Sequence, residues 1–458
     1  MRSRQWRWNF SGCILPLLVL FTGLGCCRVS VGQTADMRDT FPALSQQDWQ
    51  TLATAARLST EMSKILRINH RLGDTSETTW DRSLKQPLND QLLEQFASDP
   101  TASAGMACHG LVRVQSLAKM TPSDALQQAF DIPRLYLLRC RLEAAPQSQF
   151  DLITGRVPEI WKSQAKDLDQ PIQFRGVVIN VKPDGQPVVV ANNIAWFPEE
   201  QNASLKVEQG RLLLAKHGFD LGLLDTIVQR SPVAFTSTEQ PLFNQLVQAI
   251  QRIDDDTQQD HSHAPLDLLQ CLKRPNDHAG HLYSIEGSLR RVSSVQVTSP
   301  ILKDAIGADV YYQLDIFLPV GDRSFVLRDS QGELTISGSF GITVLVLKLP
   351  KDLADPKSSI GAKVKLDGVF AKTWTHKTSG TREVSNELRR PNPIVFGLAS
   401  SLQVIEPADS ETGDLFGWFW ILLVGLLSML GFWHWRQSKR TRSATTITPD
   451  AVDFSGLD

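Results

Sequence analysis

The chain has 458 residues, with Lys+Arg 47 against Asp+Glu 49 and a formal net charge of -2. So even a balance excludes a global field that would gather acidic ligands, and 42% hydrophobic with 21% charged residues excludes a disordered or fibrous chain. The length suits two to four domains, each able to bury a core of its own.

The first element is a signal. Arg2, Arg4 and Arg7 precede an apolar run from Cys13 to Leu24, and the small residues Ser30, Val31 and Gly32 follow. Positive, apolar, then small is the order of a secretory signal peptide over 1–32, with cleavage expected after Gly32. The rival readings are a lipoprotein signal at Cys26 or Cys27 and an uncleaved anchor. Residues 33–104 read as a helical N-terminal region. Ser45 with Asp48 forms a capping pair, and Leu52, Ala55, Leu58, Met62 and Ile65 recur at helical spacing until Gly73. A shorter helix is expected over Asn89 to Phe96.

From residue 105 the apolar period becomes two. "IQFRGVVINV" from Ile172, "YSIEGSLRRV" from Tyr283 and "VKLDGVFAKTW" from Val364 repeat one phrase, an alternating strand with a glycine inside it. A glycine there marks a bulge, a tight bend or a close backbone approach. Small barrels turn their corners on such bends, so Gly176 and Gly368 are expected at bulged positions. Each is followed by a turn, a proline (Pro187, Pro393), an apolar strand and a closing strand. A fainter copy begins at Leu111, with Ser116 in the glycine's place and "RLYLLRCRL" from Arg134 as its partner.

These repeats divide the body. A first pair of β units covers 105–200, and a helical insert covers 201–253, where Thr236 and Glu239 make a capping box. A polar linker covers 254–265, a third β unit 266–350 and a fourth 351–410. The stretch "LFGWFWILLVGLLSMLGFWHW", residues 415–435, then has no charged residue. It is long enough to cross a bilayer. Trp418 and Trp420 at one end, with Trp433 and Trp435 at the other, form interfacial belts, and Arg436 and Lys439 open a basic stop in the polar tail 436–458. The positive side stays inside. The bulk of the chain is therefore expected outside the cytoplasm of a cell membrane, with the C-terminus cytoplasmic.

The fold class is accordingly α+β, mainly β: tandem small OB-like β-barrel or sandwich units, a helical insert, an N-terminal signal and one C-terminal transmembrane helix. Short Greek-key barrels with a glycine-bent strand resemble the OB-fold. The full layout resembles an uncharacterised family of bacterial single-span membrane-anchored proteins with repeated OB-like β units. That resemblance implies topology and architecture and brings no activity with it.

Chemistry is sparse. "SLAK" at Ser116 matches S-x-x-K by chance, since Ser116 falls in a strand and no third motif accompanies it. His261, His263, His278 and His281 lie near Asp254, Asp255, Asp256, Asp260 and Asp277. A solvated linker accounts for them better than a metal site does. Cys108, Cys140 and Cys271 remain outside the signal. Either Cys108 bonds to Cys140 or all three are buried thiols. No catalytic residue, metal or cofactor is expected. A binding face is expected on the fourth unit, where Lys372, Trp374 and Arg389 combine charge with an aromatic surface. The partners expected are membrane lipid through the C-terminal helix and an envelope protein or glycan, with no nucleic acid. The functional expectation is a membrane-anchored extracytoplasmic scaffold or binding protein. The alternative is an envelope hydrolase with a dispersed site between β units.

Overall fold

The computed structural model describes residues 36–84, 86–163, 166–199, 205, 207–256, 263–329, 332–353, 360–377, 389–406, 420 and 422–433. The signal expected over 1–32 lies outside the described residues.

The N-terminal region is helical as its spacing predicts. It contains α1 (Gln46–Thr54), α2 (Met62–Gly73), α3 (Glu77–Ser83) and α4 (Asp90–Ser98). Ser45 and Asp48 form the reciprocal capping box, and Asn89 caps α4 by accepting from the Leu92 N–H at 2.9 Å.

Six strands follow: β1 (Ala107–Met120), β2 (Leu135–Leu142), β3 (Gln149–Thr154), β4 (Lys166–Val181), β5 (Pro187–Ala191) and β6 (Ile194–Trp196). They pair in the order β1-β2-β3-β5-β4, and β4 returns to β1, so five strands close a ring and β6 adds to β4. β3 and β5 run parallel. After α5 (Gln209–Lys216) and α6 (Gln240–Asp255) come β7 (Leu282–Gln296), β8 (Val310–Asp329), β9 (Gly332–Val346), β10 (Lys363–Lys377), β11 (Arg389–Gly397) and β12 (Gln403–Glu406). Their ring is β7-β8-β9-β11-β10, again closed, with β9 and β11 parallel and β12 added to β10. Position for position this is the strand order of the first barrel. It is the five-stranded Greek-key arrangement of the OB-fold.

The four expected β units are therefore two barrels. The repeats at 105–200 close on each other through β1 and β4, and those at 266–350 and 351–410 close through β7 and β10. A single repeat has too few strands to bury both edges, so each needs its neighbour.

Gly176 and Gly368 do sit at equivalent points, but the bulges lie past them, between Val178 and Asn180 and between Phe370 and Lys372. Neither glycine has a positive φ. Each is needed for close approach: a Cβ on Gly176 would stand 2.6 Å from the Val190 carbonyl oxygen, and one on Gly368 2.7 Å from Val395 Cγ1.

Each barrel interior is apolar, with Val112, Leu138, Phe150 and Ile172 in the first and Ile285, Leu314, Ile342 and Phe370 in the second. Outside the first barrel, Val177, Ile179, Val188 and Val190 pack under α1 and α2. At the matching places outside the second, Val369, Ala371, Ile394 and Phe396 pack with Leu242, Phe243 and Val247 of α6.

Cys108, Cys140 and Cys271 are free and buried, so of the two readings left open by the sequence the structure has buried thiols. Burial raises all three thiols, which leaves them unreactive packing groups. Of the expected span, Trp420 and residues 422–433 are helical. Among the described residues no helix is long and apolar enough to cross a membrane. Trp418, Trp435, Arg436 and Lys439 lie outside the described residues.

Candidate functional site

The expected face of the fourth unit is not a face. Lys372 is fully buried, and its Nζ donates to Glu239 Oε1 at 2.7 Å beneath α6. It also lies 5.4 Å from the centre of the Phe235 ring. Trp374 is half-buried against the core shared with α6, and its backbone bridges Ser231. Arg389 stands opposite Lys377 in the β10–β11 ladder, and its side chain lies outside what the structure describes. The basic-aromatic pattern arises because a strand serving two layers carries groups that bind the insert. Solvent never reaches Lys372, so the reading of Lys372 and Trp374 as a stacking platform is corrected.

A large concavity lies elsewhere. A cleft of about 2660 Å³ runs between the β1–β4–β6 side of the first barrel and the wall made by α5, α6 and the start of β7. Leu111, Phe174, Ile194 and Ala195 line the barrel side, and Leu212, Leu213 and Leu282 face them. Leu111 is 49% exposed there, unusual for a leucine at the middle of a strand. Strand alternation explains it: Val112 points into the barrel, so Leu111 must point out.

The polar groups of the cleft hold its walls. Asp220 accepts from the Trp196 N–H at 2.8 Å and the Gly222 N–H at 2.9 Å, both on Oδ1. Burial raises its carboxyl to about 6 against those bonds. Glu208 caps α5 through the Gly210 N–H at 2.7 Å, and burial raises it as well. Arg156 donates to the Gly222 carbonyl at 2.7 Å, and Arg252 to the His217 carbonyl at 2.8 Å. Near the mouth Arg175 makes a two-pronged ion pair with Glu77 at 2.5 and 2.9 Å, over the Trp80 ring.

His281 and Tyr283 line the far wall, and Tyr283 Oη lies 2.6 Å from His278 Nδ1 and 3.4 Å from His281 Nδ1. Burial, with Arg211 and His278 beside it, lowers His281 to about 4. Among the described residues no three His, Cys, Asp or Glu side chains gather as metal ligands. His261 lies outside the described residues.

No protein-family model matches the chain, and no curated protein matches it. Among solved structures it is similar to the small single-stranded DNA-binding protein of Streptomyces coelicolor, at 10% identity over 27% of this chain and 93% of that one, TM-score 0.17. It is similar to the single-stranded DNA-binding protein of Thermus aquaticus, at 9% identity over 64% and 90%, TM-score 0.16. It is also similar to fission yeast Pot1 with ssDNA, at 12% identity over 67% and 84%, TM-score 0.16. The OB-like assignment rests on the strand order. All three neighbours are named for single-stranded DNA or were solved with it, and on that finding the expected exclusion of nucleic acid is withdrawn.

Proposed function

We propose that the chain is a membrane-anchored extracytoplasmic binding protein, with the cleft between the first barrel and the insert as its ligand seat. The observation that carries this reading is the cleft itself: large, apolar along both walls, with Asp220, Glu208, Arg156 and Arg252 tied to local backbone and Arg175 paired with Glu77. Such a seat suits a ligand laid along it better than one transformed at a point. The anchor reading draws on residues 422–433, where Leu422, Val424, Leu426, Leu427, Met429 and Leu430 are each more than half exposed. Apolar side chains on every side of a helix suit lipid. Asp220 favours the hydrolase alternative in one respect, its raised carboxyl.

The test places a photo-crosslinking residue at Leu111, at Ala195 or, as a control outside the cleft, at Ser98 in intact cells. Adducts are expected from the first two alone, and Ala195→Trp should remove the Leu111 adduct by filling the seat. Equal labelling at all three positions would sink the proposal. A reporter active only in the cytoplasm, fused after Pro407, should be silent.

A further inference from the structure

The second barrel has an outer face that, among the described residues, no helix covers. Lys363, Ser288 and Phe317 lie in one cross-strand row on β10, β7 and β8, so their side chains share a side of the sheet. A bulge between Leu289 and Arg291 turns two successive residues, Arg290 and Arg291, toward that same side. Arg290 lies 5.7 Å from the Phe317 ring centre, and Arg291 is paired with Asp315 at 2.7 Å. Lys365 stands opposite Glu286 in the next row. The apolar groups here are Phe317 at 36% exposure and Ile405, on β12, at 46%.

We propose that this face rests on the surface of the anionic bilayer that holds the chain; the inference depends on the anchor reading above. Two observations choose the occupant. One is continuity: β12 ends at Glu406, and Trp420 already belongs to the exposed apolar helix. The chain between them reaches at most about 50 Å even fully extended, and β12, which bears Ile405, is the strand of this barrel that leads directly into it. The other is composition. Isolated apolar side chains set among arginine and lysine suit the headgroup layer, where apolar tips enter and long cationic chains reach phosphate. The cleft touches β7 only at its start, Leu282 and Tyr283, whereas the face uses the strand from Glu286 onward, so this docking leaves the cleft free to take its ligand.

The test uses the full chain in nanodiscs, either of phosphatidylcholine alone or with a third of phosphatidylglycerol. A fluorophore is attached at Ser288→Cys on the face or at Ser98→Cys on α4, and lipids carrying a headgroup spin label act as quencher. The expected result is at least threefold stronger quenching at 288 than at 98 in the anionic discs. It should weaken with salt and be lost in Arg290→Glu/Lys365→Glu. Equal quenching at the two positions in a chain that co-elutes with discs overturns this inference alone. A chain that does not co-elute overturns the anchor reading and this one with it.

Discussion

Asn180 and Lys372 occupy one place in two barrels. Each lies four residues past its glycine, Gly176 or Gly368, and each is the first paired residue beyond the bulge, opposite Val188 or Ile394. Each reaches outward to the helix laid over its sheet. Asn180 Nδ2 donates to the Leu52 and Ala55 carbonyls at the end of α1, at 2.5 and 3.3 Å. Lys372 meets Glu239, whose carboxylate also takes the Val228 N–H at 2.9 Å and the Thr236 N–H at 2.8 Å at the head of α6. Burial pushes Glu239 up, and Lys372 with these donors outweighs it, so the carboxyl stays below its ordinary value. A bulge that turns a strand outward thus creates a joint. One barrel fills it with a neutral amide and the other with a buried charge that is costly to leave without its counter-charge.

The comparison breaks most readily at the charged joint. Lys372→Met should cost about 3–5 kcal/mol, because Glu239 stays buried without its counter-charge. Lys372→Met with Glu239→Gln should recover much of that, since the glutamine keeps an acceptor and has no charge. Urea midpoints of the three proteins decide it. A Lys372→Met cost below about 1 kcal/mol would mean that the pair is replaceable and that the joints do not differ in kind.

The closing strands invert the contrast. At β6 in the first barrel the carboxylate is buried, Asp220 on the Trp196 N–H. In the second, the turn before β12 is tied by Asp254, which accepts from the Ser400 N–H at 2.8 Å near the surface. Burial raises Asp220 to about 6 from 3.8. An acid so raised gives stability that is full below its unfolded value and lost as pH climbs through about 6. The loss is about 2–3 kcal/mol. Asp220→Asn keeps the acceptor, so its stability should not show that fall between pH 4 and pH 7. Parallel pH profiles of variant and wild type would refute the assignment.

The glycines sharpen the comparison further. A Cβ would meet a valine methyl at 2.7 Å at both positions, but the backbone oxygen stands at 2.6 Å at Gly176 (Val190) and at 2.9 Å at Gly368 (Phe396). Gly176→Ala should cost about 2–3 kcal/mol and Gly368→Ala about 1–2. Thermal melts that reverse this ranking would show that the second barrel is the more rigid at its bend.

Much of the framework is legible in the sequence, because period-two strands and glycine bends follow from local geometry. The equivalence of Gly176 and Gly368, and of the strands after them, follows from that pattern alone. Ring closure does not: it depends on β1 finding β4 some sixty residues away. The site is less legible still. Leu111, Ala195, Leu213 and Leu282 come from four elements, and nothing local marks them as walls of one cleft. Lys372 misleads for a physical reason: a lysine in a strand is usually a solvated one, and its partner Glu239 sits 133 positions away in a capping box that explains itself without it.

The neutral joint should yield least. Asn180→Ala removes two donors from the carbonyls that end α1 but leaves no charge behind, and neutral hydrogen bonds of this kind are worth about 1–2 kcal/mol in sum. The helix retains Trp49, Leu52 and Ala53 buried against the first barrel's layer, so it should remain in place. The expected signature is a modest fall in urea midpoint with unchanged far-ultraviolet circular dichroism. Hydrogen exchange should quicken first at Ala55, whose amide bonds to Leu52 at 3.2 Å in the turn that Asn180 holds. A cost equal to that of Lys372→Met would show that the joint's position in the fold, rather than the charge placed in it, sets how firmly each helix is held.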